Sequence, residues 1–591
     1  MSSGDDGSED GFGARLGMGL LVLAGLAVVL AYVDRIFLDL PLYPGDEGAY
    51  LIHGLYGKAV AADPKLSPDL QGLNNTAFLL IIRAVTYGTH NLIEWLRALG
   101  ATAYFAGILL VWLGVRGRLS SREALGFLLL AAAFPYYRFV FAIMPEGWYV
   151  GLLGLIILAT IKLYLSHPVT HALVAGALAG VLVLLKPHGL AVIAAFPILA
   201  LLDLAWGRRE LTSFVARVVI FALAFVAAGN LVALLAGEPI TRPFTFFVGD
   251  HYAKALTSET TPASLIVALR ALALLVASSL LLAGVPILTG LLRLGMRWNW
   301  SRGRGRFDLE PQEIAFLLVL LSFGATLAMT AIFTMKALVY GPTEANRLWG
   351  RYFEFFIPMI WLTAAPFVLE FERGGGRWWR IVAGVVPLAG LAGLIVFVRG
   401  GIFLFPWDAT ALTAFFRPDP AKFGMIPLVP YFAIAVGATL AACAATGSTN
   451  WRAHRIWLAY FVLLGVLSTA LDRAWERDGW PAREALNTEL HVAELLVSQE
   501  SGLLAAIVDD LNAGHTTFWR LQARPHMILV APDADVADQA LAAYDTVIVV
   551  GPHDLVGDGW KPLFLGQRLA VFRREAALAT RARLGLETGT R

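Results

Sequence analysis

The stretch PGDEGAY, Pro44 to Tyr50, places two adjacent carboxylates, Asp46 and Glu47, shortly after the first long apolar run of the chain. That run, Leu16 to Tyr32, contains no charged residue and is close to the length that a membrane-spanning helix needs. Carboxylates beside a bilayer are costly to desolvate and do nothing to hold a helix in lipid, which indicates a functional role. A solvated loop with a Pro-Gly turn is the alternative interpretation.

The composition is that of a membrane protein. Of 591 residues, 58% are hydrophobic and only 15% are charged, whereas about a quarter of the residues of a soluble domain are charged. The sequence therefore predicts a polytopic α-helical membrane protein. Cys443 is the only cysteine, which excludes an intramolecular disulfide. Residues 1–10 are acidic and lack the basic region of a signal peptide, so we expect the first apolar run to be a retained helix.

The apolar runs predict about 13 transmembrane helices. The expected spans lie near Leu16–Tyr32, Trp95–Val115, Ala124–Phe141, Trp148–Leu165, Ala172–Leu185, Leu190–Trp206, Phe214–Ala236, Leu265–Leu292, Ile314–Phe333, Phe353–Phe371, Ile381–Val398, Ile426–Ala445 and Ile456–Leu471. The shorter stretch Thr76–Tyr87 is interrupted by Arg83, so we expect a helix lying in the membrane interface.

Basic residues predict the orientation of these spans. Arginines gather in alternate loops, at Arg116, Arg118, Arg122, Arg208, Arg209, Arg293, Arg297, Arg302, Arg304, Arg306, Arg373, Arg377, Arg380, Arg452 and Arg455. Loops rich in Lys and Arg face the cytoplasm. The amino terminus is therefore expected inside, and the carboxy-terminal tail is expected outside.

The composition changes near Asp472. Short apolar runs such as Met527–Val530 and Thr546–Val550 follow, and polar helical stretches such as Ala493–Leu511 lie between them. Alternating strand and helix signals predict a small α/β domain on the outer side. We expect a transmembrane domain over residues 1–471 and a soluble periplasmic or extracytoplasmic domain over residues 472–591.

Most ionisable residues outside the basic loops fall on the predicted outer side. They include Asp46, Glu47, Glu146, Lys186, His188, Asp250, His251, Arg347 and Arg351. Acids and bases that face one cavity suit chemistry with a phosphate leaving group, because a carboxylate can take a proton while cations hold the departing anion.

Each of these residues also has a structural interpretation. The carboxylate of Glu146 can stabilise the amino terminus of a helix, and Lys186 can extend from a span end to the interface. Arg351 can anchor a helix beside Tyr352 in the aromatic belt. Asp250 and His251 can be solvated loop residues.

Three motifs resemble those of the C-type membrane glycosyltransferases, the group of the bacterial aminoarabinose transferases and the protein O-mannosyltransferases. An Asp-Glu pair, Asp46-Glu47, follows the first span and precedes Tyr50. A Lys-containing turn, Lys186-Pro187-His188-Gly189, links two central spans. An Arg-Tyr pair, Arg351-Tyr352, opens a late span and precedes Pro358. The polar segment after Asp46-Glu47 and the carboxy-terminal tail do not match that group, so the acceptor cannot be inferred from the resemblance.

The resemblance implies a transmembrane catalytic domain that acts as an inverting-type glycosyltransferase. A sugar would move from a polyprenyl-phosphate donor to a lipid, glycan or protein acceptor at the outer membrane face. Asp46 would act as general base and Glu47 would orient either the acceptor or Asp46. Lys186, Arg347 and Arg351, with His188 as a weaker candidate, would bind the phosphate. Further expected site residues are Glu146, which would pair with Lys186 or Arg351, and Tyr50, Asp250, His251 and Tyr352.

No particular cofactor is predicted; a divalent metal stays open, although no metal ligand is assigned. Apart from donor and acceptor, the expected partner is the lipid bilayer of the inner (plasma) membrane, and no nucleic acid is expected. Two alternatives remain. A transporter or flippase also needs charges at broken helices, but the sequence has no inverted repeat and its acids cluster on one side. A ligase would instead transfer a glycan from a pyrophosphate-linked carrier.

Overall fold

The computed structural model describes residues 7–38, 44–56, 75–88, 91–206, 209–237, 260–301, 309–338, 345–374, 376–404, 408–415, 417–418, 428–448, 452–498, 502–509, 511–521, 527–530, 541–551 and 559–575. Within these ranges the chain is mostly helical, and a small mixed sheet lies near the carboxy terminus.

The helices follow one another in two groups. The first group contains α1 (Gly7–Val33), α2 (Pro44–Tyr56), α3 (Thr76–Gly88), α4 (Leu92–Val115), α5 (Ser121–Ala133), α6 (Tyr137–Val140), α7 (Glu146–Leu163), α8 (Pro168–Leu185), α9 (Gly189–Ala205) and α10 (Leu211–Leu235). The second group contains α11 (Pro262–Ser301), α12 (Pro311–Ala337), α13 (Phe356–Gly374), α14 (Gly376–Arg399), α15 (Leu428–Thr446), α16 (Ala453–Ser498) and α17 (Leu511–Arg520).

Ten of the helices that the structure describes are long and apolar enough to cross a membrane: α1, α4, α7, α8, α10, α11, α12, α14, α15 and α16. The three remaining expected spans correspond to other helices. The first two, α5 and α9, are shorter, and α13 carries Glu370, Glu372 and Arg373 near its end. The predicted class, a polytopic helical membrane protein, is confirmed.

The expected span Ala124–Phe141 is not one continuous helix. Helix α5 ends at Ala133, and Phe134 adopts an extended ψ of 125° before Pro135. A proline disfavours helical geometry at the residue before it, which explains the break. The chain then forms the single turn α6 and a series of bends before α7 begins at Glu146. These bends place residues 141–145 beside the candidate site.

Close packing of α4 against α7 fixes the position of Glu146. A Cβ on Gly147 would clash with the carbonyl oxygen of Gly100, and a Cβ on Gly154 would clash with that of Gly107. Small residues let helix backbones approach closely in membranes. The amino-terminal end of α7, where Glu146 lies, is therefore held directly against α4.

The carboxy-terminal part of the chain forms a five-stranded sheet. Two short strands, β1 (Phe403–Leu404) and β2 (Arg417–Pro418), precede it and pair with each other. The five strands are β3 (Leu504–Val508), β4 (Met527–Val530), β5 (Thr546–Val550), β6 (Trp560–Leu565) and β7 (Leu569–Arg574), in the order β4-β3-β5-β7-β6. Strands β3, β4 and β5 are parallel, whereas β7 is antiparallel to both β5 and β6.

The predicted strands Met527–Val530 and Thr546–Val550 are confirmed as β4 and β5. The predicted helical stretch Ala493–Leu511 is wrong in its second half. Helix α16 ends at Ser498, and Leu504–Val508 is the buried strand β3 between β4 and β5. A five-residue apolar run fits a buried strand as well as a buried helix, so its pattern alone did not decide between them.

Helix α2 packs into two apolar cores. One is the core of the five-stranded sheet with α17 and the end of α16, which we call the sheet region. The other is formed by the apolar helices that precede it, which we call the membrane part. Ile52 packs into the apolar core of the sheet region with Leu490, Leu504 and Ile548, whereas Leu51 packs with Phe78 of α3. Helix α17 lies against α2. Helix α16 runs without a break through the expected domain boundary between residues 471 and 472. The sheet region is thus connected to the membrane part both by α16 and by its contact with α2.

Candidate functional site

The Asp46-Glu47 pair lies in the first turn of α2. Glu47 is fully buried, and its Oε1 accepts a hydrogen bond from the backbone nitrogen of Ile143 at 2.5 Å. The Arg97 guanidinium lies 3.4 Å from the same oxygen. The side chain of Asp46 lies outside the described part of the structure. Glu47 therefore fixes the start of α2 to the bends that lead to Glu146.

Tyr50 lies one helical turn after Asp46. Its ring meets the ring of Phe78 edge-on, with the ring centroids 5.2 Å apart. Tyr50 is half-buried, and this contact joins α2 to α3. We describe it as a packing residue at the edge of the candidate site.

Glu146 and Lys186 form a buried ion pair. Lys186 Nζ donates to Glu146 Oε1 at 2.7 Å. Lys186 is extended, with φ −156° and ψ 133°, because Pro187 follows it and ends α8. Of the two cations that the sequence left open as partners of Glu146, the structure pairs it with Lys186.

Side chains from both halves of the membrane part contact the Tyr352 ring. Lys186 Nζ lies 5.0 Å from its centroid and Arg351 Cζ lies 5.3 Å from it. The rings of His188 and Trp349 lie 4.5 Å and 5.3 Å away, and the Trp349 ring is stacked in parallel. Cations over aromatic faces gain about 0.5–2 kcal/mol each, so this ring helps to hold them.

His188 is neutral in this setting. Burial lowers its pKa well below the usual range, and the positive charges of Lys186 and Arg351 lower it further. A neutral imidazole can still donate one hydrogen bond and accept another. His188 can therefore bind a ligand by hydrogen bonding, whereas Lys186 and Arg351 supply the charge.

Arg347 is held by Asp408, a fully buried residue of the segment 408–415. Arg347 donates from two nitrogens, from Nε to Oδ2 and from NH2 to Oδ1, the second bond at 2.7 Å. The carbonyl oxygen of Asp408 also accepts a hydrogen bond from the Arg351 backbone nitrogen. Tyr136 donates to the Arg351 carbonyl oxygen at 2.8 Å. Asp408 thus positions both arginines.

Glu354, which lies just before α13 begins, is a second buried acid, and it contacts the segment 408–415. Its Oε2 accepts from the Thr410 hydroxyl at 3.2 Å and from the Ala411 backbone nitrogen at 3.4 Å. Burial raises the pKa of Glu354 to about 8, although these two hydrogen bonds oppose the shift. The side chain is therefore mostly protonated at neutral pH.

The structure brings together most of the residues that the sequence predicted. Glu146, Lys186, His188, Arg347, Arg351 and Tyr352 lie in one contiguous set of contacts that includes Trp349. Glu47 is bonded to Ile143, three residues before Glu146. Asp250 and His251 lie outside the described residues. Two buried atoms of this set, Glu146 Oε2 and His188 Nδ1, have no hydrogen-bond partner within the described ranges. Because buried polar atoms are almost always paired, such atoms mark places where a ligand or water would bind.

Sequence reasoning missed several residues of the site. From the sequence, no role was assigned to Asp408, Arg97, Trp349 or Glu354. Trp349 and Glu354 flank the Arg351-Tyr352 motif, and this proximity was the available signal. Arg97 lies near the start of the apolar run Trp95–Val115, and a charge in such a run indicates function or a buried partner.

No group of three or more His, Cys, Asp or Glu side chains is arranged to hold a metal among the residues that the structure describes.

The chain is a multi-pass helical membrane protein in which Lys186, Arg351 and His188 meet at the Tyr352 ring, and Glu146 is paired with Lys186. No protein-family model matches the sequence, and no curated protein matches it significantly.

The crystal structure of ArnT from Cupriavidus metallidurans in the apo state is similar, with a TM-score of 0.52 at 16% identity, covering 95% of this chain and 99% of that chain. The structure of the same protein bound to undecaprenyl phosphate gives a TM-score of 0.52 at 15% identity, covering 94% and 97%. The apo oligosaccharyltransferase of Archaeoglobus fulgidus gives a TM-score of 0.43 at 12% identity, covering 90% and 69%. The chain therefore has the fold of ArnT, and the resemblance to the C-type membrane glycosyltransferases is confirmed at the level of the fold.

Proposed function

We propose that this protein is an inverting glycosyltransferase that moves a sugar from a polyprenyl-phosphate donor to a lipid, glycan or protein acceptor. One observation carries the proposal. Lys186 and Arg351, from different halves of the membrane part, meet at the Tyr352 ring beside Glu146. Glu47 fixes the start of α2, and with it Asp46, to the bends before Glu146. The likeness to ArnT bound to undecaprenyl phosphate supports the choice of donor.

The proposed reaction is a single displacement at the anomeric carbon of the donor sugar. The acceptor oxygen forms a bond to that carbon while the bond from the carbon to the phosphate oxygen breaks, which inverts the configuration. Asp46 takes the proton of the acceptor hydroxyl, and the electron pair of the broken bond leaves with the polyprenyl phosphate. A positioned general base contributes about 10²–10⁴-fold to such a step.

The cations of the site stabilise the charge that develops on the leaving phosphate. Lys186 and Arg351 bind it most directly, and His188 adds a neutral hydrogen bond. Arg347, held by Asp408, contributes its positive charge. Preorganised donors of this kind act where charge develops in the transition state. Glu47, buried and in contact with Ile143 and Arg97, orients α2.

We place the reaction and the sheet region on the outer face of the membrane, because the arginine-rich loops lie on the other side. A reporter fused after Arg306 should be cytoplasmic, and one fused after Arg574 should be periplasmic or extracellular. Two reporters on the same side would contradict this orientation.

The decisive experiment supplies purified protein in liposomes with radiolabelled polyprenyl-monophosphate and polyprenyl-pyrophosphate sugars, together with lipid, glycan and peptide acceptors. Transfer from the monophosphate alone, abolished by Asp46→Asn, would support the proposal. Consumption of the pyrophosphate donor would indicate a ligase. Movement of intact donor across the bilayer without cleavage would indicate a flippase.

A further inference from the structure

Arg97 of α4 contacts the chain on both sides of residues 39–43, the segment that leads to Asp46. Its NH1 donates to the carbonyl oxygens of Arg35 at 2.6 Å and Leu38 at 2.7 Å, which precede residues 39–43. Its NH2 lies 3.4 Å from Glu47 Oε1, which follows them. Arg97 is fully buried. One guanidinium thus contacts the chain immediately before and immediately after this segment.

The chain before the segment is itself firmly held. The Arg35 side chain forms buried ion pairs with Asp472 and with Glu476 of α16. Arg138 lies 3.0 Å from the other carboxylate oxygen of Asp472. The carbonyl oxygen of Arg35 that Arg97 contacts is therefore fixed relative to α16.

The chain after the segment is held against the candidate site. Glu47 Oε1 accepts from Ile143, three residues before Glu146, while it faces Arg97. The start of α2 is therefore placed by two donors that come from different elements. An arginine suits this task, because its planar group presents several donors in fixed directions, whereas lysine offers one compact charge.

We propose that Arg97 is a positioning residue that holds Asp46 at a fixed place relative to the Glu146-Lys186 pair. The inference rests on the proposed function, in which Asp46 is the general base. Arg97 contacts neither donor nor acceptor in this scheme. It acts through Glu47 and the backbone on both sides of residues 39–43.

The first test compares Arg97→Lys with Arg217→Lys. Arg217 is a matched control, because it is equally buried and its NH1 lies 3.0 Å from Asp203 Oδ2, in a contact between α9 and α10. In folded, reconstituted protein, Arg97→Lys should lower kcat about 10- to 100-fold, since a displacement of about 1 Å costs that much. Its affinity for polyprenyl phosphate should stay within twofold. Arg217→Lys should leave kcat per folded molecule unchanged.

Glu47→Gln is a milder variant that serves if Arg97→Lys does not fold. It keeps an acceptor for Ile143 and removes the charge that faces Arg97, so kcat should fall less, again without loss of donor affinity. An unchanged kcat in both variants, or an equal fall in Arg217→Lys, would overturn the positioning role.

A second test needs no turnover. Because Cys443 is the only cysteine, a spin label can be attached at position 46 alone in a protein carrying Cys443→Ser and Asp46→Cys. Adding Arg97→Lys should increase the mobility of the label, and adding Arg217→Lys should not. Equal mobility in the three proteins would refute the inference even if the proposed function stands. Full activity of Asp46→Asn would refute the role of Asp46 as general base. The mobility of the label would still decide whether Arg97 positions residue 46.

Discussion

Lys186 Nζ and Glu146 Oε1 lie 2.7 Å apart, buried, although forty residues separate them in the chain. This ion pair joins the end of α8 to the beginning of α7 and places the lysine against the Tyr352 ring. The positive charge of Lys186 is thus already balanced before any phosphate arrives. A phosphate that binds Lys186 must share it with the carboxylate of Glu146.

Glu146→Gln should therefore bind polyprenyl phosphate more tightly than the unmodified protein. The amide oxygen of glutamine still accepts from Lys186, but the negative charge that opposes the phosphate is gone. We expect a gain of about 1 kcal/mol, or roughly fivefold, at the effective dielectric of a partly wet site. Without ligand, the variant should be less stable, because a buried lysine has lost its counter-ion.

Equilibrium binding and thermal unfolding, each with and without polyprenyl phosphate, measure both effects. The ligand should raise the Tm of Glu146→Gln more than that of the unmodified protein, because the stabilisation by a bound ligand grows with the logarithm of its concentration divided by its Kd. Weaker binding by the variant would mean that the charge of Glu146 is needed to orient Lys186.

The pair Arg347 and Asp408 separates a structural role from phosphate binding. Asp408→Asn should destabilise the protein by about 3–5 kcal/mol, because it breaks a buried ion pair. Arg347→Met combined with Asp408→Leu should recover most of that stability. Since two nitrogens of Arg347 already bond Asp408, the double variant should keep its affinity for polyprenyl phosphate within about tenfold. A larger loss would make Arg347 a principal phosphate ligand.

Because the pKa of Glu354 is raised, we expect the stability of the protein to depend on pH. Its pKa is about 8 in the folded protein, above the usual range for a glutamate. The folded state therefore keeps a proton that the unfolded state loses near pH 4.5. The stability that comes from the neutral acid is complete below about pH 4.5 and is lost as the pH rises to about 8.

Glu354→Gln mimics the protonated acid and cannot ionise. Between pH 5 and pH 8 the Tm of the unmodified protein should fall by more than that of the variant. Glu94→Gln, at a half-buried position of α4, is the matched control and should follow the unmodified protein. Parallel curves for all three would show that Glu354 ionises normally in the fold.

The helical architecture could be predicted from sequence because length and hydropathy decide which segments cross a membrane. All 13 expected spans correspond to described helices, although Pro135 divides one of them. The strands were harder to predict from sequence, because Leu504–Val508 is too short to show whether its period is that of a strand or a helix. Its assignment depends on β4 and β5, which flank it from elsewhere in the chain.

The candidate site was predictable as a set of residues and not as a set of pairs. Glu146 and Lys186 each stood out as an ion beside a proline, but nothing local told which partner Glu146 takes. Asp408 lies 61 residues from Arg347 in the chain. Only the folded arrangement of the intervening helices brings such residues together, so their pairing is a property of tertiary structure.

Arg351→Lys tests whether this arginine is a phosphate ligand or an interfacial anchor. The backbone at position 351 is held independently of the side chain, by hydrogen bonds from Tyr136 and to Asp408. Lysine can replace arginine as an anchor, because it too extends to the interface. It cannot present two nitrogens to two phosphate oxygens in one plane. The substitution is therefore conservative for only one of the two roles.

If Arg351 grips phosphate, the variant should fold normally and bind polyprenyl phosphate more weakly by about 1.5–3 kcal/mol, the loss of one charge-assisted hydrogen bond. Arg209→Lys serves as the control, because Arg209 donates only to the Leu165 carbonyl oxygen, at 3.2 Å, among the contacts described, and lies in a basic loop. Its donor affinity should not change. Binding should be measured on folded protein in both cases. Unaltered affinity in Arg351→Lys would assign Arg351 to the membrane interface and leave Lys186, with His188, as the phosphate-binding group.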